Sequence, residues 1–322
     1  MKTSLTGIKP TGLPHLGNYL GAIRPALRLA ESHRSIYFIA DYHALTTERD
    51  PARLRAQVYD VAAAWLACGL DPKRTLVFRQ SDVIEVFELT WVFACIVSTG
   101  QLERGHAYKD ALEQSGAPNA GVFNYPLLMA ADIILYDSDL VPVGKDQVQH
   151  LELARDIAVK MNHAYGEGCV VVPSALVTEA PLVPGTDGRK MSKSYDNTIP
   201  LFAAQKTLEK EVMKFKTDST PLEAPKNPEG AIVYELYKTI APPDQVAALA
   251  SKLAAGGYGW GHAKADLFRA IDAEIAPHRA RYEALRADEA ALDAILQEGA
   301  GRARKIASQT MARVRRAIGI TR

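Results

Sequence analysis

The feature that most constrains this chain is the alternation, over its first half, of short β-like runs with stretches in which apolar residues recur at helical spacing. A weak strand at 4–6 leads through a glycine-rich turn into a helix that reaches about Ser32. A second strand, 36–40, ends at Asp41, and residues 51–68 then repeat apolar side chains through Val58, Val61, Ala62 and Trp65. A third strand spans 75–78 and helical pattern follows over 86–97. Residues 126–136 are apolar except for Asp132, and Val141-Pro142-Val143 runs through Gly144 into a helix beginning near Gln147. This rhythm predicts an α/β fold, a Rossmann-like doubly wound parallel sheet whose ligands lie above the carboxyl ends of its strands.

The second half changes character beyond the Gly/Lys/Ser-rich segment 188–197. Helices are expected near 203–215, 231–240, 243–254, 261–285 and 288–318, the last broken around Gly299 to Gly301. The proline-rich piece 221–228 reads as a loop, and 256–261 is too dense in glycine for regular structure. A C-terminal all-helical domain is therefore expected behind the sheet.

Thirty-eight Lys and Arg against 37 Asp and Glu leave a formal charge of +1, so a polyanionic partner has to be met by a local basic patch. Beyond Glu298 come Arg302, Arg304, Lys305, Arg313, Arg315, Arg316 and Arg322 with no acid, which is either such a patch or a solvated helix face. At 48% hydrophobic and 23% charged, the composition excludes disordered, collagen-like and disulfide-scaffold chains. Cys68, Cys95 and Cys169 share no CxxC spacing, and the first two fall in apolar helical patterns, so buried thiols in a reducing compartment are expected. The N-terminus enters the first strand without a signal-peptide core, and no stretch is long enough to span a bilayer. A cytoplasmic location without a membrane partner is expected.

Two segments and one residue carry chemistry. In Gly7-Ile8-Lys9-Pro10-Thr11-Gly12-Leu13-Pro14-His15-Leu16-Gly17-Asn18, a strand-to-helix turn directs backbone N–H groups toward a ligand, and glycine allows a phosphate or purine close to the main chain. It matches neither the Walker A nor the dinucleotide pattern, and alone it reads equally as a tight turn with a helix cap. In Gly188-Arg189-Lys190-Met191-Ser192-Lys193-Ser194, two lysines three residues apart could neutralise charge on a reacting triphosphate. Alone, a solvated basic linker is the commoner meaning of such a pair. Asp132 stands among Met129, Ile133, Ile134 and Leu135, where a carboxylate needs a hydrogen-bond donor, from a substrate or from the protein.

Taken together, His15-Leu16-Gly17-Asn18 and Lys190-Met191-Ser192-Lys193-Ser194 resemble the two signatures of class I aminoacyl-tRNA synthetases, the second letter for letter. Asn18 stands where many members have a second histidine, a replacement familiar in the tryptophan-specific, tryptophanyl branch. The likeness to the bacterial type of that branch extends through Gly17-Asn18-Tyr19-Leu20-Gly21-Ala22, Asp41-Tyr42-His43-Ala44-Leu45-Thr46, Tyr125 to Ile133 and Val141 to Gln147.

The resemblance implies a catalytic domain over 1–195 and a helical anticodon-binding region over 196–322, with the basic tail in its last helix. It implies Asp132 as acceptor for the indole N–H, Tyr125 and Gln147 at the amino group, and Met129, Val141 and Val143 as apolar walls, for which core packing is the alternative; His43, after a strand end, either lines the pocket or is structural. For ATP it implies Lys9, Pro10, Thr11, Gly17 and Asn18 as a cradle, Gly144, Lys145 and Asp146 at the ribose, and Leu182 at the adenine. Lys190, Met191, Ser192, Lys193 and Ser194 would form the triphosphate loop, with Lys190, Lys193, His15 and Asn18 as the catalytic set. Mg²⁺ is expected on phosphate and water, with no protein metal ligands. Two departures concern the charge near the phosphates: Ala111 replaces one of two lysines that many relatives carry beside Lys109, and Lys9 replaces a common glutamine.

The activity so implied is activation of L-tryptophan by Mg·ATP and transfer of the tryptophanyl group to tRNA(Trp) by a homodimer, with 86–97 compatible with the subunit contact. Three alternatives stay open at this point: tyrosine as substrate, a non-catalytic RNA-binding paralogue, and a small nucleotidyltransferase. The intact signatures and the long helical second half weigh against the last two.

Overall fold

The computed structural model describes residues 1–115, 118–144, 147–177 and 183–320. The sheet consists of β1 (Thr3–Ile8), β2 (Arg34–Ile39), β3 (Leu76–Arg79), β4 (Leu140–Val143) and β5 (Ser174–Val177). All pairings are parallel, in the order β3-β2-β1-β4-β5, with Leu5 opposite Ile36, Ile36 opposite Leu76 and Ser4 opposite Leu140. The chain builds outward from β1 in one direction and then from β4 in the other. The carboxyl ends of those two strands therefore diverge at a topological switch point, where such sheets open a crevice.

Between the strands run α1 (Leu16–Asn18), α2 (Arg24–Ser32), α3 (Asp41–Ala44), α4 (Pro51–Ala67), α5 (Glu85–Ala94), α6 (Thr99–Glu103), α7 (His106–Ser115), α8 (Ala120–Leu135) and α9 (Val148–Tyr165). A π-helical turn, Tyr19–Ile23, joins α1 to α2. Pro25 explains it: with no N–H to offer Gly21, the ladder skips a residue and Arg24 N–H donates to the Tyr19 carbonyl. The caps are those the sequence provides. The Asp50 carboxylate accepts from Ala52 and Arg53 at the start of α4, and the Asn119 side chain accepts from Val122 at the start of α8.

The helical half comprises α10 (Gln205–Met213), α11 (Ile232–Ile240), α12 (Pro243–Ala255), α13 (Trp260–Ala287) and α14 (Glu289–Ala317). Side chains of β2 alternate between two cores. Tyr37 and Ile39 pack with α4 and continue into Leu236, Leu253 and Leu267 of the helical half, whereas Ile36 and Phe38 pack with α5, α8 and α9. The two-sided burial of β2 is why it reads as a continuous apolar run.

Three expectations are corrected. The last helix does not break at Gly299 to Gly301: α14 is continuous, and a Cβ on Gly299 would lie 1.9 Å from the Val77 carbonyl oxygen. The glycine is there so that helix and strand can touch. Cys95 is exposed, because it faces away from the sheet at the end of α5, while Cys68 and Cys169 are buried. The sheet has a fifth strand, β5, that no periodic pattern announced. The basic tail is largely engaged with the sheet's own layer: Arg302 donates to the Pro72 carbonyl, Arg304 to that of Asp82, and Arg313 and Arg315 pair with Asp137 and Glu88. Among the described residues no helix is long and apolar enough to cross a membrane.

Candidate active site

A cavity of about 560 Å³ opens at the switch point. Its floor is Leu5, Thr6 and Gly7 of β1 and Val141 to Val143 of β4; α8 contributes Tyr125, Met129 and Asp132, and His43, Lys9, Gly144 and Gln147 close the rim. Gly7 is required there, since a Cβ would stand 2.6 Å from the Phe38 ring beneath it. Of the residues predicted for the amino acid, all seven line this one space.

Asp132 is 1% exposed. His43 Nε2 donates to its Oδ2 at 2.9 Å, and Gln80 Nε2 lies 2.9 Å from both oxygens. Burial pushes the Asp132 carboxyl above the usual carboxylate range, while the His43 and Gln80 hydrogen bonds pull it back. The helix carboxylate is thus both paired with protein donors and open to the cavity. Tyr125 Oη shares a 2.8 Å hydrogen bond with His150 Nε2, and burial first, then Asp110, raises its phenol to about 12. Neither Gln80 nor His150 stands out in the sequence. Gln80 directly follows β3, at the carboxyl end where ligand-facing residues gather, and that position was the available signal.

The two signature segments come together beside this cavity, not inside it. His15 caps α1: the Asn18 N–H donates to its Nδ1 at 3.3 Å, and its own N–H donates to Asn18 Oδ1 at 3.0 Å. An accepting Nδ1 leaves the neutral ring's hydrogen on Nε2. Burial, with Lys193 adding to it, lowers the His15 pKa to about 4, so the ring is neutral at pH 7. Gly17 N–H donates to the Met191 sulfur at 3.2 Å, and Lys193 Nζ donates to the Thr11 carbonyl at 2.8 Å. Buried Asn197 shapes the loop, donating to the Lys190 carbonyl and to Asp187 while accepting from the Ser192 N–H. Lys190 and Ser194 are exposed. Lys9 joins the two regions: it lines the cavity, its Nζ reaches Thr46 Oγ1 at 3.4 Å, and two residues on stands Thr11. Burial lowers the pKa of both Lys9 and Lys193.

Ala111 lines the cavity where a lysine is common, and Lys109 is exposed. Lys145, Asp146 and Leu182 lie outside the described residues. Among the described residues no group of three or more His, Cys, Asp or Glu could hold a metal ion.

Residues 2–275 match the family described as tRNA synthetases class I (W and Y). The chain belongs to that family. Among class I synthetases it is similar to the tryptophan–tRNA ligase of Xanthomonas campestris, 47% identical over 98% of this chain and 76% of that one. It is likewise 47% identical to the tryptophan–tRNA ligase of Rhodopirellula baltica, over 98% and 99% of the two chains. The tryptophanyl-tRNA synthetase of Campylobacter jejuni, crystallised with ADP and tryptophan, superposes with a TM-score of 0.94 at 42% identity, covering 98% of this chain and 99% of that one.

Proposed function

We propose that this class I synthetase activates L-tryptophan with ATP to tryptophanyl-adenylate and pyrophosphate, then transfers the tryptophanyl group to the 3′ end of tRNA(Trp). The observation that carries the residue assignments is a buried carboxylate, Asp132, facing a largely apolar cavity at the switch point, with the two signature segments latched together at its side. Asp132 accepts from the indole N–H between Met129, Val141 and Val143, with His43 alongside, and Tyr125 and Gln147 meet the amino group. Phenylalanine, which has no such donor, would leave Oδ1 of the buried carboxylate with only its share of the Gln80 hydrogen bond.

The carboxylate of tryptophan is ionised at neutral pH, so activation needs no general base. One carboxylate oxygen bonds to the α-phosphorus while the bond to pyrophosphate breaks, and the departing charge is met by Lys190, Lys193 and the Nε2–H of neutral His15. Lys9, Pro10, Thr11, Gly17 and Asn18 cradle the nucleotide, with Met191, Ser192 and Ser194 in the closing loop and Gly144, Lys145, Asp146 and Leu182 at ribose and adenine. Mg²⁺ enters with ATP on phosphate oxygens and water, in keeping with a site whose nearby side chains are cationic. In the second step a terminal ribose hydroxyl of the tRNA takes the acyl group and AMP leaves.

Residues 1–195 perform activation, and 196–322 read the anticodon, in the cytoplasm. The enzyme works as a homodimer through Ile84, Phe87 and Trp91, which lie at helical spacing on one exposed face and are 70%, 43% and 72% exposed. The test is ATP–pyrophosphate exchange with tryptophan and tyrosine side by side. Exchange is expected with tryptophan alone, and Asp132→Asn is expected to lower kcat/KM for tryptophan roughly 10- to 100-fold. Exchange with tyrosine instead, or an unaffected variant, overturns the assignment.

A further inference from the structure

Asp132 is met by side-chain donors from two elements: His43 of α3 on Oδ2, and Gln80 from the turn after β3, its nitrogen 2.9 Å from each oxygen. A nitrogen equidistant from both oxygens shares a hydrogen between them, so among the described residues Oδ1 has no donor of its own whereas Oδ2 has His43. On the far side of the same amide, Gln80 Oε1 is buried without a hydrogen-bond partner among the described residues. A carbonyl in that position is unfavourable, yet the alternative is worse. Turning the amide over would press its oxygen against the carboxylate, which is tolerable only once Asp132 is protonated and can donate. The orientation of Gln80 and the charge on Asp132 therefore fix each other.

We infer that Gln80 is a positioning residue for substrate selection: by donating to both oxygens it keeps Asp132 ionised and turned so that Oδ1 is offered to a ring N–H donor in the cavity. The inference rests on the indole reading of that cavity. Gln80 does not line the cavity and acts through Asp132. The other titratable groups around the carboxylate are His43, which donates to it, Asp41 at the start of α3, which opposes its ionisation, and Tyr136 at the end of α8, whose own ionisation Asp132 opposes; Lys9 and Tyr125 stand elsewhere on the wall. Burial disfavours the charged form, and of the groups that restore it Gln80 is the one that carries no charge at any pH.

The experiment compares tryptophan with the alanine derivative of benzothiophene, in which sulfur replaces the ring N–H, by pyrophosphate exchange with the full-length enzyme across pH. The unaltered enzyme is expected to prefer tryptophan about tenfold or more in kcat/KM. In Gln80→Met, which keeps length and bulk, KM for tryptophan should rise about tenfold with kcat little changed. The preference over the sulfur analogue should shrink, and the acidic limb of kcat/KM should move to higher pH. A folded Met variant that keeps both the preference and the limb overturns the inference while leaving the indole reading intact. An unaltered enzyme without any preference removes the indole reading and this inference with it. Should the Met variant fail to fold, Gln80→Glu decides the matter: two carboxyls must share a proton, so its acidic limb should move further still, and an unmoved limb overturns the proposal.

Discussion

Lys193 Nζ stands 2.8 Å from the carbonyl oxygen of Thr11, so two segments 182 residues apart meet through an ammonium and an uncharged acceptor. A phosphate oxygen is a stronger acceptor for that ammonium than an amide carbonyl, so a bound triphosphate should draw Lys193 away from Thr11. Lys193→Ala is expected to slow adenylate formation about 100-fold or more, measured by single-turnover exchange. Tryptophan binding without nucleotide, measured by equilibrium dialysis, should be unchanged, because Lys193 does not line the amino-acid cavity.

His15 yields a prediction about pH. Its pKa falls from the ordinary 6.5 to about 4 in the folded protein, chiefly through burial. The unfolded chain therefore binds a proton first as the pH drops, so the stabilising contribution of neutral His15 is complete above 6.5 and declines steadily until about 4. Thermal melts of the unaltered protein and of His15→Gln should diverge across that window, the former losing more Tm. Parallel curves between pH 6.5 and 4 would contradict this account of the site.

Ile84, Phe87 and Trp91 make an exposed apolar face, which among the ring contacts of the described residues only Tyr42 touches, at the edge of Phe87. Trp91→Glu is expected to shift the sedimenting species from dimer to monomer at micromolar concentration, with the secondary structure retained. A particle that sediments as a monomer before any substitution would remove the proposed subunit contact.

Two glycines on one helix separate packing from propensity. A Cβ on Gly299 would collide with the backbone of Val77, whereas nothing lies within 4 Å of one on Gly301. Gly299→Ala should destabilise by about 3 kcal/mol or more, since a backbone clash cannot relax cheaply. Gly301→Ala should stabilise by up to about 1 kcal/mol. Denaturant midpoints of the two variants, moving in opposite directions, are the check.

These glycines also mark where sequence reasoning ran short. The strand–helix rhythm, the helical second half and Asp132 itself are legible as local patterns, a run, a period and a lone carboxylate among apolar neighbours, whereas the residues gathered around Asp132 follow from the resemblance to class I synthetases. Gly299 and Gly301 are not legible, because a glycine pair inside a helical pattern has the same local form whether the helix stops or a strand presses against it. Gln80 escaped for a related reason. Nothing beside it in sequence signals that Asp132, 52 residues on, lies within hydrogen-bonding distance. Cys95 was misjudged because apolar spacing marks a helix without saying whether its far side meets solvent or another surface. β5 escapes although Val170, Val171 and Val172 stand just before it, since Pro173 separates them from the strand and the strand's own Ser174-Ala175-Leu176-Val177 has only two large apolar side chains.

The contact between Gly299 and β3 bears on how this molecule is made. The strand that ends beside Gln80 is made well before α14, the helix that seats against it. Ala300, Ala303, Ala307, Met311 and Val314 then complete the apolar cluster on that side of the sheet. A nascent chain still lacking α14 therefore leaves β3 without its helical partner, and α8, which carries Asp132, meets that neighbour only once α14 has been made.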